Sequence, residues 1–385
     1  MRVLTVVPLP PGPRGGIEDY VANVFRALRG RATLDVVAPS EPVRRPATSV
    51  DEYAASLHRV RARPLFRRLI PVGRTARSEV ESLVGTADVV HVHMPSPRLE
   101  AWAAMACVRG RVPLVATYHM DALYDGGRFD ARSGMAGRLV ESLYDARSAR
   151  PTLSRARFIV TNSRGYAQES RLLPSFLGKI RAIHQGVSPD HTVSKDGGVH
   201  IRQELTNGDT RLVTFLGRLV PYKGLHVMVE AAKSFSGKSV TFAVGGKGPL
   251  RSPLESEVDR LGLREMFRFL GFIPDGSVGD LLRASDVVVC PSISLAESTP
   301  IVLLEALACG TPVVGTRLGG SEETLPDDGV SGRLVAPRDP RALSEAIQQL
   351  LDANTWAPNR RSLCLRTWDD VATEYLRLYE EVLSS

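Results

Sequence analysis

The first half of the chain alternates short runs rich in β-branched residues with longer stretches of helical periodicity. The runs Arg2–Val7, Leu34–Ala38, Asp88–His93, Pro113–His119, Arg157–Thr161 and Lys179–His184 predict strands. Helical spacing lies near 17–29, 98–109, 134–150 and 163–173. Asp88-Val-Val-His-Val-His93 starts polar and then runs mainly apolar, which suits a strand covered by helices on both faces. Residues 187–210 break the alternation with Ser188-Pro189-Asp190, Asp196-Gly197-Gly198 and Asn207-Gly208-Asp209, and are read as a linker. The alternation restarts at Arg211–Gly217. Further strands are expected at Val240–Val244, Phe267–Leu270, Val287–Cys290, Pro312–Gly315 and Gly332–Val335. Helices are expected near 223–234, 251–262, 300–309, 340–352 and 367–383. Strand–helix alternation of this period implies parallel sheets with crossover helices. The chain therefore reads as two consecutive doubly wound α/β units. Such sheets bind ligands beyond the carboxyl ends of their strands, so a cleft between two facing units is the expected site.

Composition removes other classes. The 385 residues are 43% hydrophobic and 24% charged, the balance of a globular protein. No stretch approaches the ~18 apolar residues of a spanning helix. The start, Met-Arg-Val-Leu-Thr-Val-Val-Pro8, does not read as a secretory signal. Cys107, Cys290, Cys309 and Cys364 lack metal or redox spacing and are expected to be buried thiols in a cytoplasmic protein.

Charge is uneven. Residues 1–190 carry 28 basic and 17 acidic side chains, a net of +11, and residues 191–385 a net of −4. Seven arginines fall in Arg59–Arg77, interleaved with Leu65, Phe66, Leu69 and Ile70. That segment is either a solvated basic loop and helix, or a surface for an anionic membrane or acceptor. Pro64 and Pro71 interrupt any long amphipathic helix there.

The second half holds the candidate chemistry. Gly217-Arg218-Leu-Val-Pro-Tyr-Lys223-Gly224 follows a strand. Arg218 and Lys223 either converge on an anion beyond the sheet, the arginine as a fork and the lysine as a point charge, or are solvated loop cations. Gly245-Gly246-Lys247-Gly248-Pro249 is either a close approach to ligand or a tight turn, and is not a dinucleotide fingerprint. Pro300 is expected in the first turn of a helix capped by Ser298 or Thr299, with Gly310 ending it. Free amides at 299–302 would then suit a phosphate. Glu297 before that helix and Glu305 within it suit sugar hydroxyls, although Glu305 alone could be a helix-surface charge.

Together these motifs resemble the retaining family-4 glycosyltransferases of the GT-B fold. The resemblance rests on Glu297-x7-Glu305, Arg218-x4-Lys223 and the Gly-Lys-Gly-Pro turn. It extends to Gly15-Gly16-Ile17-Glu18-Asp19-Tyr20 as the glycine-rich loop after the first strand and to Thr117-Tyr118-His119-Met120-Asp121. It implies an acceptor-side domain at 1–190, a nucleotide-sugar domain at 191–366 and a last helix, 367–385, returning to the first domain. It implies that Arg218 and Lys223 hold the donor diphosphate and that Glu305 binds the ribose. Glu297 and His119 would meet the donor sugar. Gly16, Gly248, Thr299, Pro300 and Ile301 would line the donor, with Gly15 and Asp121 toward the acceptor.

The activity implied is transfer of a hexose, with retention, from a GDP- or UDP-sugar to a saccharide, lipid-linked glycan or natural-product hydroxyl. No cofactor, metal or nucleic acid is implied, so His91 and His93 are not expected to ligate a metal. The run of motifs looks most like bacterial mannosyl- or rhamnosyl-type members, which puts GDP ahead of UDP and suggests polysaccharide or natural-product biosynthesis. The chain is expected in the cytoplasm, with peripheral membrane contact through 59–77 as an option. Two departures stand out. Thr299-Pro300 occupies the place of the usual Phe-Gly. Ile183-His184-Gln185-Gly186-Val187-Ser188 replaces an Asn-Gly-Val-Asp type run, either reshaping the floor of the site or as a neutral change. The alternatives are another GT-B enzyme, such as an epimerase that turns over donor without acceptor, or a non-catalytic binder of nucleotide sugars. The intact set Arg218, Lys223, Glu297 and Glu305 argues against the binder.

Overall fold

The computed structural model describes residues 1–9, 16–40, 55–65, 68–122, 134–187, 196, 198–297, 299–353 and 365–384. Gly15, Ser298 and Cys364 lie outside them. The chain divides into two compact units, each treated below on its own.

Unit 1 begins with β1 (Arg2–Val6), α1 (Gly16–Leu28), β2 (Thr33–Ser40), β3 (Ala55–Leu65), β4 (Arg68–Pro71), α2 (Arg74–Val84), β5 (Val89–Met94), α3 (Leu99–Gly110) and β6 (Leu114–Tyr118). It continues with α4 (Met135–Tyr144), a π turn over Asp145–Ala149, α5 (Arg150–Arg155), β7 (Phe158–Thr161), α6 (Arg164–Glu169) and β8 (Ile180–Ala182). The strands form one sheet in the order β4-β3-β2-β1-β5-β6-β7-β8, parallel except for the β3–β4 pair. Apolar residues drive this arrangement. Val3, Leu34, Val36, Val89 and Val115 on one sheet face pack with Tyr20, Val24, Phe25 and Leu28 of α1.

Unit 2 contains α7 (Val199–Leu205), β9 (Arg211–Leu216), α8 (Leu225–Ala232), β10 (Val240–Gly245), α9 (Arg251–Arg260), β11 (Phe267–Gly271), α10 (Asp275–Ala284) and β12 (Val287–Cys290). It closes with α11 (Ile301–Ala308), β13 (Val313–Thr316), β14 (Gly332–Val335) and α12 (Pro340–Asp352). Its parallel sheet runs β11-β10-β9-β12-β13-β14. Asp339 caps α12 through Ala342 N–H, and Pro340 supplies a fixed first-turn φ.

The last helix, α13 (Trp368–Leu383), belongs to unit 1. Thr367 and Asp370 form a reciprocal capping box at its start. Val371, Tyr375, Leu378, Tyr379 and Val382 then join the α1 core. A Cβ on Gly186 would lie 2.7 Å from the backbone of Thr367 and Trp368, so glycine lets the two crossing segments touch.

Three expectations need correction. Part of the expected basic loop and helix is β3 and β4, an edge ribbon. Arg59, Arg61 and Arg63 point outward while Val60 and Ala62 are buried, because alternate strand residues face opposite sides. The reading missed this strand because arginines alternate through its second half; pairing with β2 reveals it. The expected linker contains α7, which Arg202 ties to the buried carboxylate of Asp286 at 2.8 Å. Pro300 is the N-cap of α11, not a first-turn residue, and no side chain caps that helix. Its extended backbone (φ −67°, ψ 110°) delays the helix to Ile301.

Candidate active site

In unit 2 the strand order reverses between β9 and β12, the point where doubly wound sheets open a crevice. The loops after β9, β10 and β12 are stitched together there. Gly217 N–H donates to Gly245 O at 3.0 Å, Leu219 N–H to Lys247 O at 3.0 Å, and Ile293 N–H to Tyr222 O at 2.8 Å. Glycine is required for this closeness. A Cβ on Gly246 (φ +123°) would strike Gly217 O, and one on Gly248 would strike Leu219 O. The Gly-Lys-Gly-Pro run is thus accounted for by loop packing, whatever else Gly248 touches.

This stitching brings residues distant in sequence into contact. Lys223, in a 3₁₀ turn after β9, forms an ion pair with Glu297, after β12; their side chains are only 11% and 15% exposed. Burial works against the Lys223 ammonium, but the Glu297 carboxylate, with smaller contributions from Cys290 and Tyr222, offsets it and raises the lysine pKa, so Lys223 keeps its positive charge. Ser292 Oγ also reaches Glu297, at 3.4 Å. Arg218 is exposed, and its guanidinium has no hydrogen bond or ion pair to a described residue. Beyond Glu297, Thr299 is 3% exposed and its Oγ1 has no hydrogen-bond partner among the described residues. Pro300 is buried and contributes no N–H. Ile301 and Val302 open α11, where N–H groups lack intrahelical acceptors. Glu305, half-buried, sits among buried Leu303, Leu304, Ala306 and Leu307. One edge of unit 2 therefore collects a buried cation, an exposed arginine, an orphan hydroxyl and helix-start amides, a set suited to phosphate oxygens and hydroxyls.

Unit 1 carries its own polar cluster at the equivalent end of its sheet. His119 follows β6, is 6% exposed, and its Nε2 lies 2.9 Å from His93 Nδ1. Tyr20 of α1 packs edge-on against His119, with ring centroids 5.0 Å apart. His91 bridges Tyr379 OH and Thr117 Oγ1, both at 2.7 Å, and Tyr375 OH bonds Tyr20 OH and Thr117 Oγ1. Burial lowers the His119 pKa to about 3, and burial aided by His119 does the same for His91. Burial also drives His93 well below its ordinary value. All three rings are neutral near pH 7. Sequence reasoning weighed His91 and His93 only as metal ligands. Their two-residue spacing opposite Thr117 on β6 was the available signal for a shared polar face. Among the described residues no cluster of three His, Cys, Asp or Glu is arranged for a metal ion.

Gly16 begins α1, and a Cβ there would meet nothing within 4 Å, so fold packing does not demand a glycine. Asp121 is different. Its carboxylate accepts from Tyr118 OH (2.9 Å), Ser170 Oγ (2.7 Å) and Arg171 N–H (2.9 Å), which makes it a fastener of the loop after β6. His184 Nδ1 bonds Asn162 O at 2.7 Å within unit 1.

The buried histidines set an acid limit. Their folded pKa values lie below the unfolded value near 6.5, so the unfolded chain binds more protons. Stability is complete above about pH 6.5 and is lost as pH falls from there toward 3. We expect the melting temperature to drop over that window, and His91→Asn to flatten the drop. An equal slope in that variant would contradict the assignment.

The pattern of the family described as "Glycosyl transferases group 1" matches residues 199–363, and that of "Glycosyltransferase Family 4" matches residues 14–191. The chain is 31% identical to the D-inositol 3-phosphate glycosyltransferase of Acidothermus cellulolyticus, covering 97% of this chain and 87% of that enzyme. It is 28% identical to the phosphatidyl-myo-inositol mannosyltransferase of Mycobacterium leprae, over 100% of this chain and 98% of the relative. The O-antigen chain mannosyltransferase C of Escherichia coli is also 28% identical, over the whole of both chains. Among solved structures, a glycosyltransferase from Rickettsia africae aligns over 100% of this chain and 99% of its own, with a TM-score of 0.73 and 16% identity. Anabaena HepE in complex with UDP-glucose aligns over 99% of this chain and 98% of its own, with a TM-score of 0.70 and 20% identity. These likenesses place both units in the GT-B fold.

Proposed function

The chain belongs to the family-4 glycosyltransferases, and from that premise we propose that it moves a hexose from a GDP- or UDP-sugar, with retention and without a metal. The acceptor is a hydroxyl of a saccharide, lipid-linked glycan or natural product. The observation that carries the reading is the buried Lys223–Glu297 pair beside the orphan Thr299 hydroxyl and the start of α11.

In this reading Lys223, Arg218 and the amides of Ile301 and Val302 hold the donor diphosphate. The bond from the anomeric carbon to the phosphate oxygen breaks, and the diphosphate leaves with the electron pair. These cations and dipoles stabilise the charge that develops on it, the role a metal fills elsewhere. The acceptor hydroxyl attacks from the same face and gives its proton to the departing phosphate. Glu297 accepts from hydroxyls of the donor sugar, and releases part of Lys223 to the phosphate as it does so. In unit 1, His119 is a neutral imidazole, since burial keeps it uncharged. Gly16 leaves room for ligand, and Glu305 accepts from the ribose hydroxyls. Mannosyltransferases among the relatives favour a GDP-linked mannosyl-type donor.

A panel of nucleotide sugars, scored by thermal shift and by transfer, tests the donor. Donor consumed without acceptor, to an isomeric sugar nucleotide, would assign an epimerase instead. For the ribose contact, Glu305→Ala is expected to weaken free-nucleotide binding about 10- to 100-fold, the worth of charge-assisted hydrogen bonds. Unchanged affinity by calorimetry would remove that role.

A further inference from the structure

Two buried imidazoles of unit 1 share a hydrogen bond that the mechanism above does not use. His93 Nδ1 lies 2.9 Å from His119 Nε2. The rings are 18° from coplanar with centroids 5.2 Å apart, so they meet edge to edge, where a ring nitrogen directs its N–H or its lone pair. Burial keeps both rings neutral near pH 7. Each neutral ring carries one N–H, so the pair holds two protons and the shared bond takes one of them. The other sits on an outer nitrogen, either His93 Nε2 or His119 Nδ1. The surroundings of these two atoms differ. His93 is 0% exposed, and its Nε2 is buried with no hydrogen-bond partner among the described residues. His119 follows β6 and keeps 6% of its surface open. Its Nδ1 bonds no described residue. Tyr20 packs on the His119 ring, but its hydroxyl is engaged by Tyr375 OH at 2.9 Å.

We propose that His93 is a positioning residue that fixes His119 as its Nδ1–H tautomer, so that unit 1 presents a neutral N–H donor to a hydroxyl oxygen of its substrate. Buried N–H groups without an acceptor are rarer in folded proteins than unfilled acceptors, so the outer proton goes to His119. His93 Nδ1–H then donates to His119 Nε2, and the bond made by the inner nitrogen decides the state of the outer one. The opposite arrangement would bury an unpaired His93 N–H and turn His119 into an acceptor. The place of His119 does not depend on this bond. Its backbone N–H donates to Met94 O at 3.2 Å, and the Tyr20 ring meets it edge-on with centroids 5.0 Å apart. Loss of His93 therefore changes the proton of His119 more than its position. Substrates of doubly wound sheets arrive at the carboxyl ends of the strands, where His119 stands. A hydroxyl can donate or accept, so a fixed N–H imposes one orientation on it. The choice of a hydroxyl rests on the glycosyltransferase reading above; the tautomer does not.

The test is long-range proton–nitrogen NMR of the full chain labelled with nitrogen-15 histidine, near pH 7, with resonances assigned by single substitutions. Protonated and bare ring nitrogens resonate apart, so the spectrum reads each tautomer directly. Wild type is expected to show a protonated Nδ1 and a bare Nε2 for both His119 and His93. His93→Leu removes the inner donor and is expected to leave His119 exchanging between its two tautomers. His93→Asn, whose amide can take the place of Nδ1, is expected to restore the Nδ1–H form. With the nucleotide sugar that the donor panel selects, His93→Leu should lower kcat/KM about 5- to 10-fold, the worth of one neutral hydrogen bond. His93→Asn should recover most of that loss. A purely structural role would not make the rate follow the tautomer across the two variants. A His119 protonated at Nε2 in wild type would overturn the proposal. So would an unchanged His119 spectrum in His93→Leu, or equal kcat/KM for that variant and wild type. The wild-type spectrum decides the tautomer even where the leucine variant does not fold. A wild type that transfers no sugar would end the proposed function, and the spectrum would still decide the tautomer.

Discussion

Lys223→Ala is expected to lower the transfer rate by about 10²- to 10³-fold at saturating donor while the protein stays folded. The magnitude is that of removing one preorganised group aimed at charge that develops in the transition state. Lys223 is suited to that task because its ammonium is already desolvated and held by Glu297. A cation fixed in a site of low dielectric acts more strongly than the same charge in water and needs no reorganisation as the phosphate leaves. The substitution also leaves Glu297 without its counter-ion, so some loss of stability accompanies the loss of rate, and a melting curve must be run beside the kinetics. Arg218→Ala supplies the cleaner control. The Arg218 side chain is exposed and bonds no described residue, so its removal should leave the melt unchanged while slowing transfer. Near-normal rates in both variants would end the diphosphate assignment.

The largest stability effect is expected at Asp286→Ala, about 3–5 kcal/mol of destabilisation. Asp286 is 3% exposed. Its carboxylate accepts from Leu212 N–H at 2.7 Å, from Arg202 at 2.8 Å and from Arg211 at 3.3 Å, joining α7, β9 and the start of β12. Alanine leaves the guanidinium of Arg202, with a side chain only 12% exposed, without its counter-ion. Arg202 still donates to Ala284 O at 2.8 Å, which softens the loss toward the lower end of the range. Urea unfolding reads the change directly, and a difference below about 1 kcal/mol would show the cluster to be no more than a surface pair.

Fold class was legible because the evidence for it is local. Runs such as Val287–Cys290 and Val313–Thr316 are apolar on both faces and short, and each is followed or preceded by a helix-period stretch. Errors came where local pattern and tertiary context diverge. An arginine-bearing strand, β3, is a strand because β2 pairs with it and its Val60 and Ala62 are buried, which composition cannot reveal. Helix α7 was hidden in a turn-rich segment because much of what fixes it, the Arg202 contact with Asp286, lies far along the chain. The start of α11 moved by one residue because Pro300 takes an extended conformation with no side-chain cap.

The sequence by itself determined the two doubly wound units and the family, since alternation, glycine positions and the spacing of Arg218, Lys223, Glu297 and Glu305 are properties of neighbours along the chain. Tertiary structure alone decided which of those residues meet. It paired Lys223 with Glu297, turned Asp121 into a loop fastener and left Thr299 Oγ1 unpartnered. It buried His91, His93 and His119 in one neutral cluster. The physical reason is the same in each case. Burial and pairing depend on distances between segments remote in sequence, and those distances set whether a side chain is charged, bonded or free.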